Sequence, residues 1–284
     1  LGGVTQVLKD CVASAHSAGF RTLVLTGEPP ACDSSEFGSV ACVPELAYTT
    51  GWKRGDCERL SHAILSTVLL KLGKEPDIWH IHNPSLGKNL ALWPVLRMWA
   101  DHGRRMLLHI HDFAEDSRPA NYRGMLKISA ECAPDGDGAI LYPIGGRVFY
   151  ATLTHADRLR LIRAGMLENR VACLPNCVSS FPAETPLRSL DTDPGTILYP
   201  VRGIRRKNIG EFLLWSVLGA EDSWKWQISL PAESEQEYSV YALWKQMTDR
   251  LRLPVSFEVG LDRREGISQG RPAVSGMITT SLKE

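Results

Sequence analysis

No uncharged apolar run in this 284-residue chain approaches the ~20 residues that a membrane-spanning helix needs. The best run, residues 63–72, is broken by Lys71. Net charge is lacking too, because 32 Lys and Arg stand against 32 Asp and Glu. That balance excludes general electrostatic capture of nucleic acid or of an anionic membrane and leaves room only for a local basic patch. The seven cysteines (Cys11, Cys32, Cys42, Cys57, Cys132, Cys173 and Cys177) are odd in number, and no pair has Cys-x-x-Cys spacing. Neither a disulfide framework nor a zinc ribbon is indicated, and a reducing cytoplasm is the simplest setting. The start shows no basic segment followed by an apolar one, so no signal peptide is visible, and it carries Leu1 instead of Met, so we expect a processed or truncated beginning. Repeats, low-complexity tracts, a Walker-type loop, Gly-x-Ser-x-Gly and His-Glu-x-x-His are all missing.

The chain is 44% hydrophobic and 23% charged, enough to bury a sizeable core in one large or two ordinary domains. Short apolar runs alternate with longer helical patterns, the signature of α/β units around a parallel sheet. Helices are expected at residues 4–18, 59–72, 86–101 and 156–164, the last stopping at Gly165. Strands are expected at 21–25 (RTLVL), 77–82 (DIWHIH), 106–110 (MLLHI), 148–153 and 170–174. Residues 177–195 hold Pro182, Pro186 and Pro194 with several Ser and Thr, and read as a linker between domains at 1–176 and 196–284. A second series follows, with strands at 196–200, 226–230, 255–259 and 276–280 and helices at 208–218 and 235–251. The chain opens in a Gly-Gly loop without a preceding strand and closes after a strand without a covering helix. Since a parallel sheet is covered on both faces, both domains read as incomplete.

Three constellations could carry chemistry. Gly2-Gly3 at the mouth of a helix fits close approach of an anion to free N–H groups, but a tight turn without a ligand is the better reading of the residues alone. Arg202, Arg205, Arg206 and Lys207 follow a strand and precede a helix. Ligands of open α/β sheets bind at the carboxyl ends of strands, so this loop suits a diphosphate, and a solvated basic turn is an equal alternative. His80 and His82 share one face of a strand, and so do His109 and His111. If the strands are neighbours, four imidazoles converge. A metal centre is then conceivable, though buried hydrogen-bonded histidines are commoner, and His111 at a strand end is the more attractive substrate contact. Glu115 and Asp116 could pair as acid and base but more often such residues face water; Trp224 and Trp226 read as packing, and Arg104-Arg105 as a solvated helix end.

The order of the pieces LGGVTQV, DIWHIHNP, LLHIHDF, THADRLRLIRAGMLENRVACLPN and YPVRGIRRKN resembles the retaining glycosyltransferases of family 4 over nearly the whole chain. That family has the GT-B fold, two Rossmann-like domains with parallel sheets. The resemblance implies a transferase moving a sugar from a nucleotide-diphosphate sugar to a lipid-linked or polysaccharide acceptor, with retention and without a metal or other cofactor. It implies that Arg202 and Lys207 bind the donor diphosphate and stabilise its leaving charge, and that His111 contacts the donor sugar. Gly2 and Gly3 would let the donor or acceptor approach the backbone, and Arg206 or Arg205 would share the phosphate role. MITTSLKE is similar to the approach to the family's Glu-x7-Glu motif, so Glu284 would be its first glutamate, holding sugar hydroxyls. His155 departs from the small residue usual there. The first strand and the later part of the second domain are expected to be missing from the chain. A nucleic-acid partner is not implied; a peripheral contact at the inner face of the membrane is. Two rivals stay open: a metal-dependent hydrolase built on His80, His82, His109 and His111, and a non-catalytic truncated remnant.

Overall fold

The structure, a computed structural model, describes residues 3–29, 37–49, 51, 53, 55–116, 118–132, 141–177, 195–219, 224–232, 235–260 and 276–277. The chain divides into two compact units, Leu1–Ser180 and Phe181–Glu284. Gly2, Glu284 and nearly all of the expected linker fall outside the described residues.

In the first unit, α1 (Gly3–Ser17) leads to β1 (Leu23–Thr26) and β2 (Ser39–Cys42), which pair in parallel. Then come α2 (Asp56–Leu72), β3 (Trp79–His82), α3 (Leu92–Asp101), β4 (Met106–Ile110), α4 (Pro119–Cys132), β5 (Val148–Thr152), α5 (His155–Arg163) and β6 (Val171–Cys173). β3 to β6 form a four-stranded sheet in chain order, every pair parallel. Parallel neighbours need crossover helices, and α3, α4 and α5 supply them. Along β4, Met106, Leu108 and Ile110 are at most 1% exposed and join the core, while His109, between them on the other face, is equally buried. Burial on both faces is the mark of a central parallel strand.

Local chemistry sets the ends of these elements. α2 stops at Gly73, whose φ of 76° lets its N–H turn back to the Leu69 carbonyl at 2.9 Å. Thr154 starts α5 by accepting the Asp157 N–H on its hydroxyl. α3 lays Trp93, Val95, Leu96 and Trp99 into the core, and the Trp99 indole donates to Ser61 of α2 at 2.9 Å.

In the second unit, β7 (Thr196–Arg202), α6 (Ile209–Leu218), β8 (Lys225–Leu230), α7 (Glu235–Leu251), β9 (Val255–Ser256) and β10 (Gly276–Met277) build a parallel sheet in the order β10-β7-β8-β9. Its core centres on Tyr199, Ile209, Phe212, Trp226 and Ile228. Trp226 meets Phe212 edge-on, so the expected packing role of this tryptophan holds.

The boundaries bring corrections. β2 and α4 were not expected from the sequence. The helix expected at 86–101 begins only at Leu92, because Asn83 and Gly87 take left-handed backbone around a short 3-10 turn at Pro84–Leu86. Arg104 is no merely solvated helix end: its guanidinium holds Glu75 through two bonds of 2.9 and 3.0 Å and lies over the Trp99 ring.

Leu108 is fully buried in the core, so Leu108→Ala should cost about 2–5 kcal/mol. Urea unfolding followed by tryptophan fluorescence measures this, and a loss below about 1 kcal/mol would contradict the central position of β4.

Candidate functional site

The in-register pairing of β3 and β4 sets Trp79 beside Met106 and His82 beside His109. The histidine pairs that the sequence places on one face of each strand therefore meet. His80 Nε2 lies 3.3 Å from His109 Nδ1, and His82 Nδ1 lies 3.3 Å from His111 Nε2. Along each strand the rings lie tilted against each other, with centroids 4.1 Å apart for His80 and His82 and 4.6 Å for His109 and His111, while His80 stacks on His109 across the strands at 5.4 Å.

Burial governs their charge. It pushes His82 down to about 3 and His111 to about 4, and neighbouring imidazoles add repulsion against a proton. The same causes pull His80 to about 4, although it keeps an exposed face that screens the effect. His109 is also lowered by burial, against a smaller upward pull from the Leu174 backbone. The row is therefore uncharged at neutral pH.

The imidazoles spend nitrogens on one another, and the four-histidine metal centre considered from sequence does not assemble. Among the described residues, the ligand atoms that lie within 4.8 Å of one another belong to Cys11, His82 and His109. Cys11, on α1, was missed by sequence reasoning, since nothing in the spacing of residues so far apart announces the contact. The one nearby carboxylate considered, Asp112, is bound by Arg118 at 3.2 Å. Its backbone N–H is held by the Asn83 side chain and its carbonyl accepts from Ser85. These bonds knit the carboxyl ends of β3 and β4 and fix the chain immediately after His111.

Glu115 and Asp116 do not form an acid–base pair. Tyr142 donates to Glu115 at 2.8 Å, and Arg160 bonds Asp116 at 3.3 Å. Both acidic residues line a cavity of about 430 Å³ with Phe113, Tyr142, Ile144 and Met166. His155 is the exposed first residue of α5.

In the second unit, Arg202 ends β7, and Arg205, Arg206 and Lys207 form a 3-10 turn leading through Asn208, with φ 50°, into α6. The turn is fixed from several sides. Tyr199 donates its hydroxyl to the Lys207 carbonyl at 2.6 Å, and the Arg205 N–H donates to Glu237 at 2.9 Å. Gly203 lies so close to the Tyr241 ring that a Cβ there would fall on ring atoms. The basic loop thus stands at the carboxyl end of a sheet strand, where open α/β sheets bind ligands. Gly3 opens α1, as expected; Gly2 and Glu284 lie outside the described residues.

Comparison with known proteins fits this architecture. The mannosylglucosyl-3-phosphoglycerate synthase of Petrotoga mobilis is 31% identical over 263 residues, covering 83% of this chain and 49% of that protein. The chain thus spans about half the length of this curated relative. HepE of Anabaena, solved with UDP-glucose, matches 90% of this chain and 65% of its own at a TM-score of 0.57 and 16% identity. The lipopolysaccharide outer core galactosyltransferase WaaB, solved in its apo form, matches 99% and 71% at a TM-score of 0.59 and 12% identity. No family model matches the chain. The structural likeness shows the fold: α/β units with parallel sheets, of the GT-B type.

The neutral histidines link stability to pH. Their folded values lie below the ordinary value of about 6.5, so below that pH the unfolded chain binds protons that the folded one refuses. The histidine contribution to stability is full above about pH 6.5 and falls as pH drops toward 4. The slope is up to about 1.4 kcal/mol per pH unit for each buried histidine. Urea midpoints at pH 7 and pH 5 should differ in that sense, and His111→Gln should reduce the difference. An unchanged midpoint would contradict the buried neutral row.

Proposed function

We propose that the protein to which this chain belongs is a glycosyltransferase that moves a sugar from a nucleoside-diphosphate sugar to a carbohydrate acceptor, with retention and without a metal on the diphosphate. The observation that carries the reading is the basic loop at the carboxyl end of β7, where Arg202 ends the strand, Arg206 and Lys207 lie in the turn after it, and Gly203 and Tyr199 hold the backbone. Arginine forks and a lysine point charge suit the diphosphate oxygens. Charge already in position when the leaving group departs lowers the barrier most.

In the proposed reaction, the bond between the anomeric carbon and the diphosphate oxygen breaks as the acceptor hydroxyl oxygen bonds to that carbon. The hydroxyl proton leaves on the departing phosphate. The sugar passes through an oxocarbenium-like state. His111, held neutral by burial, keeps the sugar-contacting role that the family resemblance gives it, as a hydrogen-bonding group without a positive charge to repel that state. No protein nucleophile is assigned. Gly3 at the start of α1 is assigned to close approach of donor or acceptor, and Gly2 and Glu284 keep the donor-binding roles that the family resemblance gives them.

Support for the donor comes from neighbours of the same fold, solved with UDP-glucose or named a galactosyltransferase. For the acceptor, the Petrotoga relative is named for a glycosylated phosphoglycerate. That name supports a small anionic glycoside beside the lipid-linked and polysaccharide intermediates. The cavity beneath the chain after His111, with Arg160 at its edge, is the acceptor pocket in this reading.

Arg202→Ala and Lys207→Ala, made in the full-length protein, should each weaken nucleoside-diphosphate binding by about 1.5–3 kcal/mol, the worth of a charge-assisted contact, and lower turnover. Calorimetric titration measures the first effect. Unchanged binding in both variants would overturn the assignment of the loop.

A further inference from the structure

We propose that Cys11, His82 and His109 form a binding site for a thiophilic divalent metal ion, zinc in the first instance. The site goes beyond the transfer reaction and stands whether or not the chain moves a sugar.

Three elements bring the donors together: α1 carries Cys11, β3 carries His82 and β4 carries His109. Their ligand atoms lie within 4.8 Å of one another. Four tetrahedral donors around zinc, with bonds of about 2.0–2.3 Å, stand roughly 3.3–3.8 Å apart. The donors would close by no more than about 1.5 Å around an ion.

The second observation is independent of that spacing. The Nε2 atoms of His82 and His109 are buried and have no hydrogen-bond partner. His109 is 1% exposed as a whole residue. A buried polar atom without a partner is unusual and calls for a missing ligand. The Nδ1 atoms of both rings are already used, His82 toward His111 and His109 toward His80. With Nε2 on a metal, each ring keeps its single proton on Nδ1 and donates it along those contacts. This is the outer-shell arrangement that orients ligating histidines.

One thiolate with two imidazoles is a borderline-soft donor set that suits zinc, and it leaves a fourth position for water. On binding, the Cys11 thiol forms the sulfur–metal bond and releases its proton to solvent; no electron moves. Asp112 is held by Arg118 and does not join the set.

The test uses the full natural gene product, stripped with a chelator, dialysed and titrated with Co²⁺. The expected result is one cobalt per chain with thiolate-to-cobalt charge-transfer absorption, displaced by Zn²⁺. Cys11→Ser should abolish that absorption, and His109→Gln should weaken cobalt binding at least about tenfold. Cys132→Ser, an exposed cysteine elsewhere, should leave both unchanged. Circular dichroism checks that the variants fold; should the buried His109→Gln fail to fold, the half-buried Cys11→Ser decides alone. No charge-transfer absorption in the wild type, or its persistence in Cys11→Ser, overturns the site.

Discussion

The first unit depends on the in-register parallel pairing of β3 with β4. That one ladder puts His82 beside His109 and buries Leu108 on the opposite face. A slip of one residue would send the histidines into the apolar core and the leucine out of it, since side chains alternate with a period of two. The same ladder brings Asn83 beside Asp112 and so fixes the turn after His111. Core packing and the geometry of the candidate site are thus two faces of the same strand.

The second unit is organised by a close approach instead. Gly203 lies against Tyr241, whose hydroxyl donates to Glu258 at 2.8 Å, while Lys245 bonds the same carboxylate at 3.0 Å. The residue after Arg202 therefore has no freedom to carry a side chain, and the basic loop turns where its backbone meets the Tyr241 ring of α7. In the proposed reaction, cations fixed in this way would act on the departing diphosphate without reorganising as it leaves.

Much of this was legible in the sequence, and for physical reasons. MLLHI is five residues of dense apolar character in a chain of turns, and β4 spans those five residues. The alternation in DIWHIH fixed the face that His80 and His82 share, and Gly165 marked the end of α5. The unexpected elements had weak local signals. β2 is only four residues with little apolar pattern, and α4 has only Met125 and Ile128 buried, so periodicity could not mark its face. The left-handed backbone at Asn83 delayed α3, an effect of tertiary hydrogen bonding that no window of propensity captures. Cys11 escaped for a deeper reason: its neighbours are His82 and His109, and only the folded sheet brings α1 against them.

The central claim is transfer from a nucleoside-diphosphate sugar. Its most direct test is nucleoside-diphosphate release by the full natural gene product, offered UDP-, GDP- and ADP-hexoses with phosphoglycerate glycosides or oligosaccharides as acceptors. The account predicts acceptor-dependent release from at least one donor together with a new glycoside. No release and no product from any donor, by folded protein, would contradict it.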